Sequence, residues 1–311
     1  MDKNSTAPTS RRGVLKCMAW AGTGLVWTVV GGVPRSINLG DEANAAEMAK
    51  GADFTFVQIS DSHIGFHLEA NPDPNATLQA ALDRVAKLPK PPAMMLHTGD
   101  VTHLSKPAEF DTAQQIMKGS KFETHYIPGE HDVIGDDGKE FFARFGKDAS
   151  SGGWYSFDQG GVHFVGLVNV LTFEKTKAGA LGTDQIAWLE KDLKGHTAST
   201  PIVVFAHVPM WPIYPQWGWA TDDAPQALAH LQRFGSVTML NGHIHQVVQK
   251  VEGKVTYQTA MSTAFPQPKA GEGPAPGPLK VPADQLRSVI GIREIEITAA
   301  KPASVTDTTL A

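Results

Sequence analysis

The sequence predicts an α/β fold, and three features carry that prediction. Between residues 54 and 128, apolar strand-like runs alternate with amphipathic helical segments. That order is expected of parallel strands joined by helical crossovers. Two glycine-centred hairpins and two short apolar strands follow between 154 and 260. Carboxylate and imidazole side chains then gather where five of these strands end.

Ahead of residue 54 the chain of 311 residues reads as an export signal. "SRRGVLK" places Arg11 and Arg12 before Val14, Leu15 and Lys16, and the S-R-R-x-x-x-K form resembles a twin-arginine signal. "CMAWAGTGLVWTVVGGV" supplies a moderately apolar run, and "ANA" offers a small-residue cleavage site after Ala45. A membrane anchor is the alternative, because the run approaches the shortest length that spans a bilayer. Its glycines and its small-residue exit favour cleavage, which leaves no stable span. The expected division is a signal peptide at 1–45 and one domain at 46–311, periplasmic or secreted, with the twin-arginine export machinery as partner. Cleavage would take five basic and three acidic side chains with it, so the formal net charge moves from −5 to −7. That balance gives no basic surface for nucleic acid. The only cysteine, Cys17, lies inside the signal, so a metal in the domain must be held by His, Asp, Glu or Asn.

The elements follow in order. "FTFVQIS" (54–60) is rich in β-formers. Residues 75–88 set Leu78, Leu82 and Val85 on one helical face, with Asn75 as the N-cap. "AMMLHTG" (93–99) is a second strand, and 106–119 a second helix opened by Pro107 and closed by Gly119. "FETHYIP" (122–128) is a third strand. A hairpin at 154–168 turns at Gly160-Gly161, and a helix follows at 183–194. Strands at 201–207 and 236–242 precede a hairpin at 247–260 that turns near Gly253. The Pro/Gly-rich stretch 265–282 reads as a surface loop before a last strand at 288–297.

The strand ends carry Asp61 and His63 in "SDSHIG", Asp100 in "TGDVTH", Glu130, His131 and Asp132 in "PGEHD", His207, and His243 and His245 in "NGHIHQ". In an open α/β sheet, ligands bind beyond the carboxyl ends of the strands. Each cluster alone has an ordinary reading as a turn or a cap. The i, i+2 spacing of Asp61 with His63, and of His243 with His245, puts each pair on one side of an extended backbone. Five such clusters at one edge point to a metal site.

The succession D-x-H, G-D, G-x-H-D, H and G-H-x-H over residues 54–250 resembles the calcineurin-like metallophosphoesterases, which include purple acid phosphatases and cyclic-nucleotide phosphodiesterases. The resemblance implies a four-layer sandwich of two mixed β-sheets flanked by helices, with a dinuclear metal site at the strand ends. It implies that Asp61, His63 and His245 hold one ion, that His207 and His243 hold the other, and that Asp100 bridges them. It also implies that His131 serves the leaving oxygen of the substrate and that Asp132 orients His131 through its ring N–H. The implied activity is hydrolysis of a small phosphomonoester or phosphodiester by a metal-bridging hydroxide. Imidazole and carboxylate donors suit Fe, Mn or Zn.

Glu130 stands where that family has asparagine. A glutamate can coordinate with one more methylene of reach and a full negative charge, which favours an iron-containing pair or monoanionic diester chemistry. The rival is a side chain turned away, leaving one metal and a non-catalytic protein that binds metal or phosphate. His103, three residues past Asp100, is placed to support the bridging carboxylate, whereas His67, His97 and His125 read as structural. In "HVPMWPIYPQWGWATDD", Tyr214 and Trp219 read as loop packing, and Trp211 or Trp217 as substrate contacts.

Overall fold

The computed structural model describes residues 25–30, 33–38, 54–146, 152–298 and 303–311. Arg11, Arg12 and Ala45, on which the export signal rests, lie outside the described residues. Strands β1 (Leu25–Val30) and β2 (Val33–Asn38) pair antiparallel within a separate amino-terminal unit, residues 1–50. No helix among the described residues is long and apolar enough to cross a membrane.

Residues 51–311 form the second unit. Its first half runs β3 (Phe54–Ile59), α1 (Pro74–Ala86), β4 (Met95–His97), α2 (Pro107–Met117), β5 (Thr124–Tyr126) and α3 (Lys139–Phe145). The second half runs β6 (Tyr155–Gln159), β7 (Val162–Gly166), α4 (Phe173–Thr176), α5 (Thr183–Leu193), β8 (Ile202–Phe205), α6 (Ala224–Leu231) and β9 (Val237–Asn241). It closes with β10 (Val248–Glu252), β11 (Val255–Thr259), β12 (Gly291–Ile297) and β13 (Ser304–Thr309).

Two mixed sheets result, ordered β13-β12-β3-β4-β5 and β10-β11-β9-β8-β7-β6. Strands β3, β4 and β5 are parallel, and β12 returns antiparallel to both β3 and β13. In the larger sheet β7, β8, β9 and β11 are parallel, while β6 and β10 close the edges as antiparallel hairpin strands.

Side-chain alternation sorts these strands into layers. Phe54, Phe56 and Leu96 of the smaller sheet meet Phe164, Val203, Phe205 and Leu240 of the larger one in a shared interior. The opposite face of the smaller sheet, with Val57, Ile59 and Met95, packs on Leu78 and Leu82 of α1, Phe110 of α2 and Phe141 of α3. Ile202, Val204, Val237 and Met239 on the outer face of the larger sheet pack on Leu189 of α5 and Leu231 of α6. The architecture is thus helices, sheet, sheet, helices, as expected.

Several details differ from the sequence reading. Asp73 caps α1 in place of Asn75, its Oδ1 accepting the Ala76 N–H at 3.0 Å. Pro74 opens that helix, a position where its missing N–H costs nothing. Strand β13 and helices α3, α4 and α6 are additional. The turns Gly160-Gly161 and Gly253 fall where the sequence places them, all at positive φ.

Candidate metal centre

Every predicted site residue lies at or just beyond the carboxyl end of a parallel strand: Asp61 and His63 after β3, Asp100 after β4, Glu130 to Asp132 after β5, His207 after β8, and His243 and His245 after β9. Their backbones are not extended. Asp61, His63, Asp100, His243 and His245 take positive φ values of 55°, 42°, 52°, 69° and 55°. The i, i+2 argument from extended chain therefore fails. The left-handed conformation folds each loop tightly: Asp61 and His63 still meet in one group of donors, whereas His243 and His245 part to different groups. Such a backbone costs of order 1–3 kcal/mol per non-glycine residue, and surrounding structure must hold it. Here the Asp61, His63 and Ile64 N–H groups bond to the carbonyls of Gly99, Asp100 and Val101. Asp61 Oδ1 accepts the His243 N–H at 3.0 Å.

Two groups of donors converge. Asp61, His63 and His245 form one, with His63 Nε2 3.2 Å from His245 Nε2 and His245 Nε2 3.3 Å from Asp61 Oδ1. Glu130, His207 and His243 form the other, with Glu130 Oε2 2.9 Å from His207 Nε2 and Oε1 2.9 Å from His243 Nδ1. Asp100 lies between them. Its Oδ2 is 3.5 Å from His63 Nε2 and 3.3 Å from His207 Nε2.

The donor set fits a pair of metal ions. Separations near 3 Å are those of neighbouring donors bonded at about 2.0–2.2 Å to one ion. Asp61 Oδ2, Glu130 Oε2, His207 Nε2 and both ring nitrogens of His243 are buried and make no well-aligned hydrogen bond among the described residues, even though Glu130 lies 2.9 Å from both His207 and His243. Leaving so many buried polar atoms unpaired is costly, and cations would satisfy them. Backbone carbonyls fix the rings from behind: Thr98 O is 2.6 Å from His207 Nδ1 and Phe265 O 2.6 Å from His245 Nδ1. Both leave Nε2 facing inward, the usual support of a metal-ligating histidine.

The electrostatics show the same complementarity. Burial pushes the Glu130 carboxyl up, but His243 and His207 outweigh it and hold it well below the ordinary value. Burial pushes Asp61 up as well, yet His245 and His207 bring it down to about 2. Burial, then the neighbouring His131 and His245, push His63 well down, which keeps that ring neutral and able to ligate.

His131 sits beside the ligands, its ring 4.9 Å from that of His63 and stacked on His103 at 4.9 Å. Asp132 does not orient it. The Asp132 carboxylate instead accepts the backbone N–H groups of Val101, Thr102 and Gly129 at 3.0, 2.7 and 3.0 Å, and the Thr102 hydroxyl at 2.9 Å. A fully buried carboxylate needs such donors, and these three tie the Asp100 and Glu130 loops together. The His103 carbonyl takes the orienting role, 2.6 Å from His131 Nδ1. The His103 ring faces His63, Nδ1 to Nδ1 at 3.3 Å, rather than Asp100.

Other expectations sort cleanly. His97 bonds to the Ser62 hydroxyl at 2.8 Å and stacks on Tyr126, and His125 stacks on Phe157 at 3.9 Å, both structural. Trp211 is core: it is buried against Tyr257 at 5.1 Å. Trp219 is buried too, whereas Trp217 and Tyr214 form a half-buried pair at 5.1 Å. The sequence reading missed two walls of the site. Phe265, the first residue of the supposed surface loop, stacks on His63 at 4.8 Å, and Phe173 of α4 meets His243 edge-on at 5.2 Å. Only its place ahead of a polar, Pro/Gly-rich stretch marked Phe265.

The profile of the calcineurin-like phosphoesterases matches residues 54–247, which contain both donor groups. The chain belongs to the calcineurin-like phosphoesterase family. It is a metal-dependent hydrolytic phosphoesterase. A 3',5'-cyclic-nucleotide phosphodiesterase of Nostoc sp. is 24% identical over 189 residues, covering 60% of this chain and 68% of the relative. A glycerophosphodiester phosphodiesterase of Enterobacter lignolyticus is 24% identical over 227 residues, covering 70% and 80%. Among solved structures, the purple acid phosphatase PPD1 of yellow lupin superposes with a TM-score of 0.62 at 14% identity, over 84% of this chain and 52% of the other. That likeness concerns the fold.

Proposed function

We propose that this phosphoesterase hydrolyses small monoanionic phosphodiesters at a pair of ions, one of them iron. One ion would be held by Asp61, His63 and His245, the other by Glu130, His207 and His243, with Asp100 between. The observation that carries the reading is the Glu130 carboxylate lying 2.9 Å from both His207 and His243. An asparagine there would leave two carboxylates in the centre; Glu130 makes three. The added negative charge repels a dianionic monoester more than a monoanionic diester, and it offsets a more highly charged ion such as Fe³⁺. Two relatives named as phosphodiesterases support the same choice.

When bound, such ions neutralise charge on the phosphoryl oxygens and activate the attacking water. The chain's own contribution is positional. Asp132 locks two ligand loops together, the Thr98 and Phe265 carbonyls aim His207 and His245, and the His103 carbonyl holds His131 Nδ1 so that the far nitrogen serves the leaving oxygen.

The test compares bis(p-nitrophenyl) phosphate with p-nitrophenyl phosphate. The wild type is expected to favour the diester in kcat/KM, and Glu130→Asn to shift the ratio toward the monoester by about tenfold, one unit charge in a screened site. A ratio and a metal content both unmoved by that substitution would sink the proposal.

Export completes the proposal. The S-R-R-x-x-x-K sequence, the apolar run and the small-residue exit support translocation of the folded chain with its metals inserted. Mass spectrometry of the chain recovered outside the cytoplasm is expected to find Ala46 as its first residue. An intact Met1 there would favour the anchored form.

A further inference from the structure

A second cluster of metal-capable side chains lies at the opposite end of the larger sheet. His163 stands near the start of β7, whereas the phosphoesterase site lies past the far ends of the parallel strands β8 and β9. A strand of this length separates the two by roughly 15 Å. Asp158 of β6 is the direct cross-strand partner of His163, so both side chains project from one face. His196, three residues past α5, brings its ring to 3.7 Å from that of His163, centroid to centroid. One donor atom from each of Asp158, His163 and His196 lies within 4.8 Å of the others.

We propose that Asp158, His163 and His196 bind one zinc-like divalent ion that clamps the β6–β7 hairpin to the end of α5. The support behind His163 is what distinguishes this cluster from a chance surface ion pair. Its ring is buried, with Nδ1 2.9 Å from Asp158 Oδ1 and Nε2 2.8 Å from Asp192 Oδ2. Asp192 is itself fixed by the Ser156 hydroxyl, which donates to its Oδ1 at 2.6 Å. With an ion on Nδ1, the ring proton sits on Nε2 and donates to Asp192. That carboxylate–histidine–metal succession fixes the tautomer of ligating histidines. His196 is also held, since Arg233 donates to the carbonyls of His196 and Leu193.

The remaining ligand can move. The Asp158 side chain is 70% exposed against 3% for His163, so it can close the last ångström onto an ion anchored by the buried ring. Two imidazoles and a carboxylate form a common three-ligand zinc set, with water in the fourth position. The occupant that competes is a proton: His163 as an imidazolium would donate to both carboxylates.

The experiment uses the full chain and zinc alone as probe. Wild type, His196→Ala and Asp158→Ala are saturated with zinc and freed of excess. Metal per chain, phosphoesterase turnover and the zinc-induced shift in melting temperature are then measured. Asp158→Ala removes only an exposed carboxylate, so it tests the site even if His196→Ala misfolds. The expected result is one equivalent of zinc fewer in each variant, a smaller zinc-induced shift, and turnover within twofold of wild type. Equal zinc content and equal shifts in all three proteins would overturn the proposal and leave His163 as a proton-bearing clamp. A loss of zinc accompanied by a proportional loss of turnover would also overturn it, because the lost ion would then belong to the phosphoesterase site.

Discussion

Replacing His131 by alanine is expected to lower kcat by about 10²–10⁴-fold while metal content and melting temperature stay near wild type. His131 stands outside the two groups of donors that bracket Asp100, although one of its ring nitrogens lies within 4.8 Å of donors from His63 and His103, and its ring is partly open to solvent. Burial disfavours its charged form, but Asp100 and Glu130 raise its pKa above the ordinary histidine value. A ring that keeps its proton and is aimed by the His103 carbonyl is equipped to donate to a leaving oxygen. Only an interaction that strengthens in the transition state moves kcat in this way. The effect should therefore shrink for a substrate whose leaving group needs no proton. Comparing a p-nitrophenyl ester with an alkyl ester of the same phosphate class checks this. An equal loss for both leaving groups, or a fall in bound metal, would assign His131 to metal binding or to structure instead. Asp132→Asn separates the neighbouring role. It weakens the acceptor of the Val101, Thr102 and Gly129 N–H groups, so it should lower stability and metal retention together.

The convergence of these side chains was legible in the sequence because strand-end polar residues in a parallel sheet have one place to go. Asp61, His63, Asp100, Glu130, His207, His243 and His245 are brought together as their positions after β3, β4, β5, β8 and β9 require. The loop geometry was not legible. No residue type in "SDSHIG" or "NGHIHQ" announces left-handed backbone at Asp61, His63, His243 and His245; neighbouring loops impose it through long-range bonds such as Asp61 N–H to the Gly99 carbonyl. The same cause hid the partner of His131. Asp132 is adjacent in sequence and looks like the orienting acid, yet the backbone N–H groups of Val101 and Thr102 from the Asp100 loop, with that of Gly129 in its own loop, claim its oxygens. Trp211 sat beside a ligand in sequence and is core in space, because the loop after His207 folds back on Tyr257. Strand β13 was missed for a different reason. "SVTDTT" is a polar edge strand, and its partner β12 supplies the apolar signal that it lacks.

Gly129→Ala is expected to cost more than about 10²-fold in turnover and to lower both metal content and stability, although it adds a single methyl group. A Cβ at position 129 would lie 2.0 Å from Asp100 Oδ1 and 2.4 Å from the Asp100 backbone nitrogen. Neither can yield cheaply. Asp100 Oδ1 accepts the His131 N–H at 3.0 Å, its backbone sits at φ 52°, and its Oδ2 faces His63 and His207. The Gly129 N–H is itself committed to Asp132. Relief of the clash must therefore displace the carboxylate between the two donor groups, and a misplacement of about 1 Å costs on the order of 10²-fold in rate. Overpacking of this kind costs typically about 1–3 kcal/mol, a fall of several degrees in melting temperature for a domain of this size. Gly195→Ala is the control, since the nearest atom to its added Cβ is 3.9 Å away and it should be neutral within about 0.5 kcal/mol. If Gly129→Ala instead keeps full metal content and turnover, Asp100 has room to move, and its place between the two groups does not require the close approach that glycine permits.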